Sequence, residues 1–321
     1  MAQTLRNKRW CFHCDEGQWL YDTTPMIQWL ESQHRENPIT PNDPSLAFIS
    51  LLIEDYADEW LWRPAMWWRW MPRASAWAVG YKIGCEFFGR LLARPVGWYF
   101  GKRQQNEWLW NDGMTRQNSV DVKDMLFREL DFLEAQLEEQ PYLLGSHPSA
   151  ANFGYFASMF RHFGNDVESS EIMRRQASNT YEWLARLWNA KPHKLAAEQD
   201  WAWPEGSHWN ALLERICRDY LPYLHQNSLA HQSGRTRFDY HGKSFVFKGS
   251  QTTDYRVWCR EQLQQQFQSL PDEAKERVTS LLADGKIASG LDSLFTMPQA
   301  SKINSGTKQS LRRRIFGQPR N

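Results

Sequence analysis

The sequence predicts a mainly α-helical protein, and three observations carry that prediction. Residues 119–139 place Val122, Leu126, Leu130, Leu133 and Leu137 at helical spacing. Residues 45–70, "SLAFISLLIEDYADEWLWRPAMWWRW", form a second long helical pattern, with Pro64 as its one breaker. Alternating, strand-like runs are short and confined to residues 1–20 and 236–248.

The elements follow in chain order. "CFHC" and "QWLY" flank "DEG" and read as a small hairpin. In "YDTTPMIQWLE", residues 21–31, Thr23 and Thr24 can cap a helix and Pro25 fits its first turn. Met26, Ile27, Trp29 and Leu30 give that helix a broad apolar side. "HRENPITPNDP" is a linker. Pro64 kinks or splits the helical run that begins at Ser45. Residues 74–94 read as one helix, with Lys82, Glu86, Arg90 and Arg94 sharing a face at four-residue spacing. After the helix at 119–139, "PYLLGSHP" is a loop, and helices are expected from Ser149 to about Phe163 and from about Ser169 to Trp188. Beyond Lys191, helices are expected at 206–226, 253–268 and 271–284. "TRFDYHGKSFVFK" is a hairpin candidate around His241-Gly242. Residues 296–321 carry six basic and no acidic residues and read as a disordered tail.

Composition narrows the function classes. A formal net charge of +1 over 321 residues gives no general pull toward nucleic acid or a membrane surface. Five cysteines at irregular spacing do not make a disulfide framework. No N-terminal apolar segment reads as a signal peptide and no uncharged run is long enough for a membrane span, so a soluble, cytoplasmic protein is expected. Eighteen tryptophans point to aromatic packing between helices or to an aromatic pocket.

Two segments together carry a family resemblance. In "PYLLGSHPSAANFGYFASMF", Ser149 is a good N-cap and Asn152 stands where a capping box has its partner. This segment, with "DTTPMIQWLE" ahead of it in the chain, resembles the glutathione transferases, the elements following in the family's order over residues 18–188. The family has an acid at the position of Asn152. The resemblance implies a partial thioredoxin-like α/β segment at 1–36 and a glutathione-transferase-like helical bundle at 44–190. An additional helical region with a hairpin at 191–295 and the basic tail at 296–321 then follow. Asp22 and Thr23 would hold the γ-glutamyl end of glutathione, Asp22 on the α-ammonium and Thr23 on the α-carboxylate at a helix N-terminus. The same two residues also read as a plain N-cap.

The implied activity is conjugation of glutathione to an electrophilic small molecule, or related glutathione chemistry. The alternative is a non-catalytic binding or scaffold protein on the same fold. Glutathione and a hydrophobic small molecule are the implied partners, and a homodimer is allowed. Nucleic acid, a metal and a transmembrane segment are not expected. A thioredoxin-like half needs a βαβ unit of about 30 residues or more before its last helix. The thiol-activating Tyr, Ser or Cys is therefore expected upstream of residue 1, the family's cis-proline would stand before "QWLY" where no proline precedes Pro25, and no catalytic residue is assigned.

Other constellations read more plainly. Cys11 and Cys14 form a C-x-x-C that precedes a hairpin rather than opening a helix, which favours two unpaired thiols over a redox pair or a zinc site. Glu54, Asp55, Asp58 and Glu59 cluster on one helix, with Glu59 placed to pair Arg63, and read as a solvated face or as partners of basic residues elsewhere, while the family resemblance implies a structural or subunit-contact role. His147 and His162 read as surface or capping residues. The aromatic and basic stretch at 77–100 could lie on a membrane surface, but an insertion packed on the helical core is the preferred reading. "LRRRIF" reads as part of a solvated tail.

Overall fold

A computed structural model describes residues 12–13, 19–20, 23–34, 36, 38–195, 200–243 and 245–283. The chain divides into two compact units, one including residues 1–39 and the other spanning Thr40–Thr296. In the small unit, β1 (Phe12–His13) pairs antiparallel with β2 (Trp19–Leu20), as the flanking of "DEG" predicts. Helix α1 (Thr23–Gln33) follows, and the Glu31 carboxylate accepts the Ile39 N–H at 2.7 Å, which pins the chain leaving the helix.

The large unit is mainly helical. Asp43 caps α2 (Pro44–Glu59), taking the N–H groups of Ser45 and Leu46. The helical run breaks at Trp60-Leu61 and resumes as α3 (Trp62–Trp70), so Pro64 sits in a first turn, where its missing N–H costs nothing. Next comes α4 (Arg73–Gln104), then α5 (Ser119–Glu139), whose five stripe residues are all buried. Helix α6 (Ala150–Ser158) continues through a π-helical turn to Phe163. The helix expected at 169–188 is two, α7 (Val167–Gln176) and α8 (Ser178–Trp188), because Ala177 leaves helical geometry (φ −141°, ψ 60°).

Helices α9 (Ser207–Arg215) and α10 (Leu221–Gln232) are joined by a π-helical turn. The hairpin follows as β3 (Arg237–His241) and β4 (Val246–Gln251), paired antiparallel with a bulge near Tyr240. With His241 paired to Val246, the turn spans 242–245, and its centre lies two residues beyond the His241-Gly242 centre expected from the alternation. Helices α11 (Asp254–Gln268) and α12 (Asp272–Ala283) are the last elements among the described residues. One continuous apolar core runs from Leu46 to Leu282, so residues 44–190 and 191–283 bury their apolar faces together. Trp60 alone meets the rings of Tyr220, Tyr223, Phe245 and Phe247, at centroid distances of 5.5–6.0 Å.

The largest departure from expectation is α4. At Gly89 the backbone takes φ 71°, ψ 172°, which L side chains disfavour, and the chain reverses. The two arms pack through Gly80, Gly84, Ala93 and Gly97. A Cβ on Gly80 would lie 2.8 Å from the Gly97 carbonyl oxygen. Lys82 and Glu86 therefore lie on one arm, Arg90 and Arg94 on the other, and no single four-residue charge stripe exists. The hairpin is anchored at its base, where the Glu168 carboxylate accepts the N–H groups of Ala74 and Ser75 at 2.9 and 2.8 Å. The insertion is packed on the core there and not at its tip.

Of the two histidines read as surface or capping residues, neither is exposed. His147 is buried, with its Nδ1 2.8 Å from the Ser146 hydroxyl. His162 is half-buried, its Nδ1 is buried without a hydrogen-bond partner, and its pKa is depressed to about 3 by burial and by the Arg69 and Arg161 charges. Above pH 6.5 the imidazole is neutral in both folded and unfolded chains. As the pH falls below that value the unfolded chain takes up a proton that the native site refuses, so stability falls until about pH 3. The expected slope is up to about 1.4 kcal/mol per pH unit. Urea unfolding between pH 7 and 4 should show His162→Gln with a flatter decline than the parent chain.

Candidate functional site

A cluster of buried charged side chains lies where α3, α10, α11 and the segment before α5 meet. Arg63 lies in the first turn of α3. Asp112 ends a 3₁₀ turn (Trp110–Asp112), and Gly113 leaves that turn at φ 85°. The Asn118 amide donates to the carbonyls of Gly113 and Val246, at 3.0 and 2.6 Å, and ties the turn to β4. The Ser250 hydroxyl donates to the Asp112 carbonyl at 3.1 Å. Thr253 caps α11 by accepting the Arg256 N–H, which fixes Arg256 in the first turn.

These elements converge on one carboxylate. Asp112 takes both terminal nitrogens of Arg256, at 3.1 and 2.9 Å, and Nη2 of Arg63 at 2.6 Å. Arg63 also donates to the Tyr223 hydroxyl at 2.6 Å, and Arg256 to the Gln251 carbonyl at 2.9 Å. Each charged side chain here is 8% exposed or less. The Arg63 guanidinium lies 4.5–5.2 Å from the ring centroids of Trp60, Trp62, Tyr223 and Phe247. Its Nε and Nη1 make no hydrogen bond, so the ring faces are their surroundings. Burial raises the Tyr223 phenol, partly offset by Arg63. Burial alone would depress Arg256, but Tyr223, Asp112 and Glu59 hold it above its ordinary value. The aromatic enclosure is thus filled by the chain's own guanidinium. Its chemistry is that of a clamp joining α3 to the hairpin and α11.

A second buried polar centre lies on α5. Glu129 accepts the hydroxyls of Tyr56 and Tyr155, at 2.8 and 2.5 Å, and Nε of Arg215 at 3.0 Å. Burial, with the Glu129 charge second, pushes both phenols well above their usual range. Two members of the acidic cluster of α2 turn inward as well: Glu54 is buried, and the half-buried Asp55 accepts the Tyr220 hydroxyl at 2.5 Å. Arg63, expected to pair with Glu59 along the helix, reaches Asp112 instead.

The residues named from the sequence fall into two groups. Asp22 and the side chain of Thr23 lie outside the described residues, as do Cys11, Cys14 and the tail at 296–321. Thr23 is the first helical residue of α1. Ser149 and Asn152 are brought together: the Ser149 N–H and hydroxyl both donate to Asn152 Oδ1, each at 3.0 Å. One residue before Asn152, the Ala151 N–H donates to the Ser50 hydroxyl of α2 at 3.2 Å, so the capped end of α6 is fixed against α2. Asn152 Nδ2 is buried without a partner. Ser149→Ala should cost about 1 kcal/mol, read as a lower urea midpoint with an unchanged slope.

Among the described residues, no group of three or more His, Cys, Asp or Glu could hold a metal ion. No described helix is long and apolar enough to cross a membrane. No family model, curated protein or solved structure matches the chain.

Proposed function

We propose that the chain is a glutathione-transferase-like protein that binds glutathione at the start of α1, through Asp22 and Thr23. The observation that carries this reading is the capping box of Ser149 and Asn152, buried where α6 crosses α2. The order of elements around it supports the same reading: a strand ending at Leu20, a helix opening at Thr23, a linker, two helices split near Pro64, and the capped helix after "YLLG". Asn in place of the family's acid leaves the buried Nδ2 that a carboxylate would not carry.

A specific observation favours the non-catalytic form of this reading, a binding or scaffold protein. Conjugation needs a group that stabilises the glutathione thiolate near neutral pH. Among the described residues, the tyrosines and the cysteine with displaced pKa values all move upward. Tyr56, Tyr142, Tyr155, Tyr220, Tyr223 and Tyr240 do so, chiefly through burial, and Cys217 is pushed to about 12. The enclosure of Trp60, Trp62, Tyr223 and Phe247 is occupied by Arg63 and offers no open aromatic wall to an apolar electrophile.

Titration calorimetry tests the proposal. The contacts of Asp22 and Thr23 must offset the immobilisation of a flexible tripeptide, so a Kd of about 1 mM is expected, which corresponds to about −4 kcal/mol. Asp22→Ala should abolish binding, because the ligand ammonium loses its counter-charge. Equal affinities in the two proteins would reduce Asp22-Thr23 to a helix cap and remove the glutathione assignment. Robust conjugation of a generic electrophile would overturn the non-catalytic form alone.

A further inference from the structure

The tip of the α4 hairpin exposes an apolar surface that the core does not use. Leu91 is 97% exposed, and Phe87, Phe88 and Leu92 beside it are more than half exposed. All four lie within three residues of the turn at Gly89. Nearer the base, Trp77, Trp98 and Tyr99 are also more than half exposed, and Tyr81 stacks on Trp77 at 5.3 Å. Phenylalanine and leucine thus mark the tip. Tryptophan and tyrosine ring the hairpin eight to twelve residues further down, which at the helical rise is about 12–18 Å.

The packing between the arms has the same sense. Gly80, Gly84, Ala93 and Gly97 bring the two backbones together, so large side chains are not consumed between the helices and point outward. Small-residue contacts of this kind hold helix pairs together where the surroundings are as apolar as the side chains. In water the same arrangement leaves the aromatic faces of the tip solvated at a cost.

Charge distinguishes between the possible occupants of this surface. The chain as a whole carries +1, but α4 holds Arg73, Lys82, Arg90, Arg94, Lys102 and Arg103 against the single acid Glu86. Two such hairpins from two copies would repel, whereas an anionic lipid surface is complementary to each. Arg90 and Arg94, close to the tip, set the depth. Their aliphatic stems can lie with the acyl chains only while the guanidiniums reach phosphate, so the tip seats at the boundary between headgroups and acyl chains and does not cross.

We propose that the α4 hairpin docks the protein on an anionic phospholipid bilayer, with Phe87, Phe88, Leu91 and Leu92 entering one leaflet and the basic residues of both arms on the headgroup phosphates. The aromatic ring of Trp77, Tyr81, Trp98 and Tyr99 then lies toward the outer headgroups, where such residues concentrate at membrane interfaces.

Vesicle flotation of the full chain tests this, with phosphatidylcholine alone and with phosphatidylcholine mixed with phosphatidylglycerol. Wild type should float with the mixed vesicles and remain behind with the neutral ones, and raising the ionic strength to about 1 M, where screening acts within about 3 Å, should weaken the association. Phe88→Ser with Leu91→Ser should lower partitioning about tenfold or more with an unchanged far-UV spectrum, since these side chains already face solvent. Arg90→Gln with Arg94→Gln should lower it on mixed vesicles only. The basic residues at 302–320 are present in every variant, so either loss is the hairpin's own. No flotation of the wild type, equal flotation with neutral vesicles, or wild-type flotation by the Phe88/Leu91 variant would overturn the proposal. So would a dimer in analytical ultracentrifugation that Leu91→Asp dissociates, without vesicle binding, since the occupant would then be a second copy.

Discussion

Asp112→Asn is expected to destabilise the large unit by about 3–5 kcal/mol, the range for removing one partner of a buried ion pair. The side-chain volume is conserved and one oxygen remains to accept, so the loss is that of the charge. Arg256 and Arg63 both point at this carboxylate, and both are nearly free of solvent. Without it, two guanidiniums share a low-dielectric site, and the new amide N–H groups face N–H groups. Arg256→Met should cost less. It leaves Arg63 with Asp112 as a one-to-one pair, and the thioether fills much of the vacated space. The ordering of the two midpoints in urea unfolding is the decisive measurement. An Asp112→Asn midpoint at or above that of Arg256→Met would show that the aromatic faces around Arg63, and not Asp112, carry the compensation.

That centre is also where the sequence is least legible. Asp112 and Arg256 stand 144 residues apart, and neither belongs to a local pattern. Only the turn that presents Asp112 leaves a sequence trace, in the Asp-Gly of "WNDG". Elements whose cause is local were readable. The stripe of α5 follows from helical periodicity, and the start of α6 from the chemistry of Ser149 and Asn152. The reversal at Gly89 was not, because one glycine within a helical pattern is usually tolerated, and only tertiary packing decides whether its freedom is used. The four-residue recurrence of Lys82, Glu86, Arg90 and Arg94 then suggested one face where the chain has two arms. Ala177 is the same case in milder form: nothing in "RRQASNT" announces that the helix ends there. The glutathione-binding role proposed for Asp22 and Thr23 rests on the family resemblance, and their side chains lie outside the described residues.

Glu129 offers the second large effect, and here the sequence did carry a signal. An acid at position 129 lies on the same helical face as Leu126, Leu130 and Leu133, and a charge within a buried stripe requires partners. It has three, from three other helices: Tyr56 of α2, Tyr155 of α6 and Arg215 of α9. Glu129→Gln should cost about 3 kcal/mol or more. The amide keeps one acceptor oxygen, but Arg215 loses its counter-charge in a site that leaves it 17% exposed. One tyrosine hydroxyl must also rotate to meet a donor where it had an acceptor. Tyr155→Phe should cost only about 1 kcal/mol, the value of a single net hydrogen bond, because the carboxylate keeps its other donors. Arg215→Met should fall between the two, since two hydroxyls still solvate the charge that remains. The double variant Glu129→Gln/Arg215→Met should be more stable than the sum of the single losses predicts, by more than about 1 kcal/mol, because the second change removes the charge stranded by the first. Strict additivity in that cycle would mean that the guanidinium gains little from Glu129 and is held by the carbonyls of Ala211 and Arg128 alone.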